Sequence, residues 1–378
     1  MASRDEPYRV VVWGPGYTGA QALREIARRP ELRLVGCLAY SPAKVGRDAM
    51  ELIGEPPAGV TVTGDRQAIY DLDADVVLYA GRALPDESSR HEEITTLLRG
   101  GKNVVTSTAY FFPWQRGEEY VAPLEAACAE GGTTLHGTGI HPGWFVERFA
   151  LTATSLCTTV HAVHLSEICD LSHHAGETIA AIGFGQPPER LGTKTRKTLL
   201  SRYYFECVAG LAHHLGLPVE RMEADVRYLT SERELECAGV TVRAGTVGAL
   251  DGRWTGFAGD TPLVSIRELW YLDRDLVDPA VKIVSGDMYE VEVRGLPVDV
   301  RTRADLLTTD ARDVFGVDER QSAANLATAV QLVQTIPATV AAPPGILLAP
   351  GFAYPAADLR TIPDVLGRRP AVIPEVIL

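Results

Sequence analysis

Gly14, Gly16 and Gly19 stand in a G-x-G-x-x-G spacing within residues 9–20. An apolar, β-rich run (Val10, Val11, Val12, Trp13) leads into them. An amphipathic segment follows, with Ala20, Leu23, Ile26 and Ala27 on one helical stripe. The order strand, tight turn, helix lifts a common glycine pattern into a site for the diphosphate of a dinucleotide. Gly14 lets the chain turn. Gly16 removes a side chain where the diphosphate must approach, and Gly19 lets helix and strand pack closely. Tyr17 and Thr18 open the helix, whose N-terminal N–H groups favour an anion.

A dinucleotide of this kind carries a hydride, and hydride transfer also needs a group that moves the accompanying proton. Tyr110 follows a strand end and is one proton-donor candidate. A phenol with a pKa of about 10 needs a neighbouring cation or hydrogen bond for that task; an aromatic wall beside Phe111 and Phe112 is the alternative. His141 is expected to face the carboxamide or the substrate. His173 and His174 sit in a polar stretch, and a histidine titrates near neutral pH. Glu167 and Asp170, read as lying between a strand and a loop, are suited to holding a substrate amine; solvated charges are the plainer reading. His161 and His164 with His173 and His174 invite a metal reading. The first two are three apart on a strand and point to opposite faces, so no metal site is expected. No G-x-S-x-G elbow supports a nucleophilic serine.

Alternating elements must position these groups. Leu32–Tyr40, Val60–Thr63, Asp75–Ala80, Asn103–Thr106 and Thr133–His136 read as further strands, with Ser89–Arg99 and Glu118–Glu130 as helices between them. That rhythm predicts a doubly wound parallel sheet with ligands at the strands' C-terminal ends. Ala80 and Gly81, Thr106 and Ser107, and Gly137, Thr138 and Gly139 close three of these strands and are candidate cofactor contacts; simple turn chemistry is the alternative. After Gly143 the rhythm changes. Ala150–Cys157 reads as a helix. Val160–Ile168, Val240–Ala244, Leu263–Leu272, Met288–Val293 and Val298–Thr302 read as strands of a mixed or antiparallel sheet. Ala323–Ile336 is an apolar helix stopped by Pro337 and expected to pack back on the first domain. The fold class is therefore α/β, an N-terminal Rossmann domain over 1–145 plus an α+β substrate and dimerisation domain over 146–322. Residues 323–378 form the returning helix and tail.

The bulk numbers agree. The 378 residues are 46% hydrophobic and 22% charged, as in a globular protein. A net charge of −13 argues against nucleic acid as partner. No apolar run suggests a membrane span or a signal peptide. Six cysteines without C-x-x-C spacing suit a reduced, cytoplasmic protein. Where an NAD site usually carries an acid for the ribose, the segment 39–47 offers Ser41, Lys44 and Arg47 instead. This set would attract a 2′-phosphate, so NADP(H) is favoured over NAD(H); a solvated basic loop is the plainer reading.

Residues 12–19, the segment from Ser41 to Gly46, and the block His136-Gly137-Thr138-Gly139-Ile140-His141-Pro142-Gly143 resemble the dihydrodipicolinate reductase-related proteins. They are most similar to the branch of 2,4-diaminopentanoate dehydrogenase and the native amine dehydrogenases. The tail from Ile336 and Pro337 through Ala341–Ile346 is also similar. The resemblance implies a Rossmann domain, a substrate domain on an open mixed sheet, usually a homodimer, and NAD(P)-dependent interconversion of an amine with an imine or ketone. Amine dehydrogenases carry a Glu just after the fifth strand; here Ala109 and Tyr110 stand at that place. Dihydrodipicolinate reductase carries a His-His pair, kept here as His173 and His174. Tyr110, Phe111, Phe112, Trp114 and Trp144 suggest an apolar pocket for a small molecule. The expected activity is hydride transfer to or from a C=N or C=O carbon. A dihydrodipicolinate reductase-type enzyme and a non-catalytic NADP(H)-binding redox sensor are the alternatives.

Overall fold

The structure is a computed structural model; it describes residues 6–81, 87–172, 174, 179–180, 182–191, 194–237, 240–306, 323–348 and 375–377. His173 lies outside them. Two compact units divide the chain. The first comprises 1–113, 117–144 and 325–348, the second 114–116, 145–324 and 349–378.

The first unit is built on β1 (Tyr8–Trp13), β2 (Leu32–Leu38), β3 (Val62–Thr63), β4 (Val76–Tyr79), β5 (Asn103–Thr106) and β6 (Thr134–Gly137). Helices α1 (Tyr17–Ala27), α2 (Arg66–Tyr70), α3 (Glu87–Arg99) and α4 (Glu118–Gly131) alternate with them. All pairings are parallel, in the order β6-β5-β4-β1-β2-β3. Val10, Val12, Val76 and Leu78 are wholly buried, as continuous apolar strands in a sheet covered on both faces must be. The α1 stripe of Ala22, Leu23 and Ile26 packs into that core.

The second unit carries a mixed sheet. Its strands include β7 (Thr159–Asp170), β8 (Arg221–Thr230), β11 (Val247–Ala258), β12 (Thr261–Tyr271), β13 (Asp287–Leu296) and β14 (Val300–Leu306), in the order β14-β13-β7-β12-β11-β8. A separate hairpin pairs β9 (Leu235–Cys237) with β10 (Val240–Val242). Short helices α5 (Leu151–Thr154) and α6 (Pro188–Leu191) precede the long α7 (Lys194–Leu215), which packs on β11 and β12. Tyr204 of α7 stacks on Trp254, ring centroids 3.9 Å apart, and the Trp254 indole donates to Ser201 Oγ.

Near the end, α8 (Ala323–Gln334) and α9 (Ile336–Ala341) follow each other. Pro337 does not end the helical run. It sits in the first turn of α9, where a missing N–H costs nothing. Ala329, Leu332, Val333 and Ile336 enter the core of the first unit, and β15 (Gly345–Ile346) adds to the edge of its sheet beside β6. The last strand, β16 (Glu375–Ile377), instead pairs with β8. Among the described residues no helix is long and apolar enough to cross a membrane. The six cysteines are buried and none is joined in a disulfide.

Candidate active site

The glycine loop closes as its spacing demands. Gly14 has φ +88° and its N–H donates to Leu38 O at 2.9 Å, tying the turn to β2. A Cβ on Gly19 would lie 2.2 Å from the Gly14 carbonyl oxygen, so only glycine lets α1 start so close to β1. Gly16 differs. Its backbone is extended, and a Cβ there would meet nothing within 4 Å. The loop thus has a tight rim and an open centre at the N-terminus of an 11-residue helix. That is the shape and polarity a diphosphate needs, so the residues fit a dinucleotide.

Around this cradle the first unit gathers most of the expected contacts. Ala80 and Gly81, at the end of β4, pack on Gly14. Lys44 reaches the loop itself, its Nζ donating to Pro15 O at 2.6 Å. Ser41 is exposed at the end of β2. Arg47 is turned to the Glu51 carbonyl. Thr106 is buried and shares a hydroxyl contact with Thr108 at 2.8 Å. Its carbonyl accepts from Thr138 N at 2.8 Å, which ties the β5 end to the Gly137–Gly139 turn. Ser107 borders Gly139 in the same place.

Ala109 and Tyr110 both have left-handed backbones, φ +97° and +65°. This is uncommon for residues with a Cβ, and such strain clusters at working sites. It carries the chain over Gly137, where a Cβ would lie 2.4 Å from the Tyr110 carbonyl carbon. The Tyr110 ring is then wholly buried beside the touching pair His91 and Tyr120 of the α3–α4 layer, with Arg90 5.9 Å from its centroid. That packing favours the aromatic-wall role over proton donation. Tyr110→Phe should therefore leave turnover within about twofold, a steady-state assay being the check. His141 is the second residue of the helical segment Ile140–Ala150, breaks it with non-helical backbone angles and is half-buried.

The second unit brings together a different set. The sequence puts Glu167 at a strand end, but β7 runs on to Asp170 and Glu167 lies inside the sheet, buried. Alternation carries it onto the covered face, and the strand's apolar neighbours hold the pairing beyond it. Directly opposite stand Glu268 on β12 and Tyr289 on β13, both wholly buried. Cys169 Sγ and Trp270 Nε1 each donate to Glu167 Oε1 at 3.4 Å. Burial pushes the Cys169 thiol and the Tyr203, Tyr204 and Tyr289 phenols well up, and the Glu167 and Glu268 charges push them further. These groups remain protonated donors around two acids. His174, expected in a polar loop, is buried beside the end of β7, its N–H donating to Leu171 O at 2.9 Å. Glu268 escapes a sequence reading because no motif links it to Glu167, 101 positions earlier. Only strand register joins them.

No family model matches the chain. It is 30% identical over 378 residues to an amine dehydrogenase of Streptomyces virginiae, covering 95% of this chain and 98% of that protein. A 2,4-diaminopentanoate dehydrogenase of Acetoanaerobium sticklandii is 21% identical over 217 residues, 56% of this chain and 61% of that one. In structure the chain resembles an amine dehydrogenase from Mycobacterium smegmatis, with a TM-score of 0.74 at 21% identity, covering 91% of this chain and 95% of the other. The glycine cradle, the doubly wound sheet beneath it and the full-length likeness agree: this chain is an oxidoreductase that belongs to the amine dehydrogenase family.

Proposed function

We propose that the chain is an NADP(H)-dependent amine dehydrogenase, interconverting a small, largely apolar amine with its imine or ketone. The full-length likeness to an amine dehydrogenase carries this reading. The glycine cradle supports the coenzyme half, with Gly14, Gly16, Tyr17, Thr18 and Gly19 at the diphosphate. Ser41, Lys44 and Arg47, in the segment after β2 where an NAD site usually carries an acid, support NADP(H). When bound, the nicotinamide supplies or accepts the hydride.

The chain's own residues hold charge and protons. Glu167 offers a buried carboxylate to a cationic nitrogen, whether ammonium or the substrate's own amine, and Trp270 and Cys169 fix its orientation. A charge kept out of water binds an opposite charge more strongly than an exposed one does. It thus supplies the acid that the segment after β5, with Ala109 and Tyr110, does not. His141 and His174 are the candidates for moving the proton, imidazole being suited to that near neutral pH. We further propose a homodimer in the cytoplasm. The buried thiols without disulfides suit a reducing compartment.

Following NADPH absorbance with small ketones and cyclic imines, with and without ammonia, tests the reading. Ketone turnover should require ammonia, and cyclic imines should turn over without it. Ketone reduction that ignores ammonia, or no turnover with any of these, would overturn the reading.

A further inference from the structure

Where a dinucleotide fold usually presents an acid to the adenosine ribose, β2 leads into Tyr40. An acid does stand near, but it comes from α3 and is covered. Glu93 is buried, and its carboxylate accepts from Tyr40 Oη at 2.9 and 3.0 Å and from Tyr79 Oη. Tyr40 Oη in turn accepts from Trp13 Nε1 at 2.8 Å. The Trp13 ring stacks between Tyr70 and Tyr79, centroids 5.9 and 5.6 Å away. The result is an aromatic box around one carboxylate. Burial pushes the Tyr40, Tyr70 and Tyr79 phenols up, so they stay donors.

Arg66, the first residue of α2, closes this box. Its Nε is 2.9 Å from Glu93 Oε1, its guanidinium lies 5.7 Å from the Tyr40 ring centroid, and its side chain is 48% exposed. The loop that carries Ser41 and Lys44 is fastened to the same strand end: Ala39 N donates to Thr63 O, Gly46 N donates to Val62 O, and Val45 packs on Gly64. Arg66 follows two residues later. Three groups suited to an anion therefore crowd the C-terminal ends of β2 and β3. Of the acids there, Glu93 is shielded, and the exposed Asp65 caps α2, its Oδ1 accepting from Gln67 N at 2.9 Å.

We propose that Arg66 is a specificity residue of the coenzyme site, its guanidinium anchored on Glu93 and laid against Tyr40 so that it receives the adenosine 2′-phosphate. The inference rests on the NADP(H) reading above and adds to it a residue from a different strand-helix junction. A guanidinium has five donors in a fixed fork; Nε is spent on Glu93, and the outer edge suits phosphate. Glu93 is a positioning residue, since it fixes the fork without facing the ligand. Lys could not replace this arrangement, because a point charge neither stacks nor forks.

Calorimetric titration of the full chain with adenosine 2′,5′-bisphosphate and with 5′-AMP tests it, the two probes differing only in the 2′-phosphate. The wild type should prefer the bisphosphate by tenfold or more. Arg66→Gln should cut bisphosphate affinity about tenfold and leave 5′-AMP unchanged. Glu93→Gln should lower the same ratio, which a general loss of fold would not do. Arg66→Lys, which keeps the charge on a mostly exposed stem, serves as the second variant and should recover only part of the preference. If the wild type keeps its preference and both Arg66 variants match it, the Arg66 assignment is overturned while the NADP(H) reading stands. If the wild type shows no preference, both readings fall.

Discussion

Gly16→Val should abolish coenzyme binding without unfolding the protein. The two halves of that expectation come from the same geometry. Gly16 has an extended backbone with a negative φ, −79°, and space around its Cβ direction is open. A Cβ there displaces no protein atom. A valine there would instead fill the centre of the cradle, where a diphosphate must approach the N–H groups of α1. Overpacking of this kind costs about 1–3 kcal/mol, and losing the N–H contacts adds to it, so affinity should fall roughly 100-fold or more. Gly19→Val provides the contrast. Its Cβ would lie 2.2 Å from the Gly14 carbonyl, so it should lower the melting temperature as well as binding. Coenzyme titration beside a melting curve checks both. Unchanged affinity in Gly16→Val would place the diphosphate elsewhere.

Glu167→Gln should carry the second large effect, on the amine side alone. The substitution keeps the size of the side chain and removes its charge. If Glu167 holds a cationic nitrogen, kcat/KM for ammonia or amine should fall about 10²–10³-fold, the scale of a missing catalytic acid or base. Coenzyme affinity should be unchanged, because the cradle belongs to the first unit and Glu167 to the second. The surrounding phenols and the Cys169 thiol are pushed up first by burial and then by these carboxylates. Removing one charge should therefore ease their ionisation. Normal amine kinetics in this variant would return ammonia handling to residues outside the β7 row.

Local signals were legible in the sequence, and register was not. The glycine loop could be read because its whole chemistry lies in residues 9–20 and depends on spacing alone. The parallel sheet followed from continuous apolar runs such as Val76–Tyr79. The sequence marks Glu167 as an amine-binding candidate at a strand end, because the apolar run stops at Ile168 and Asp170 looks like the start of a loop. The structure continues β7 since its partners on both sides bury Glu167. Helix α7 was missed for a related reason: polar residues occupy its first turns, and its apolar half is defined by what it covers on β11 and β12. Tyr110 was legible as a strand-end residue. The left-handed turn that sends its ring into the α3–α4 layer was not, because neither Ala109 nor Tyr110 advertises a positive φ. Glu93 lies 53 positions from Tyr40, and only the fold makes it the acid of the β2 end.

Titration of the purified protein with NADPH and NADH, read by tryptophan fluorescence and by heat, tests the central claim most directly. A saturable signal that is stronger for NADPH and is lost in Gly16→Val is the predicted result. Silence toward both coenzymes, or a signal that survives that substitution, would contradict the account.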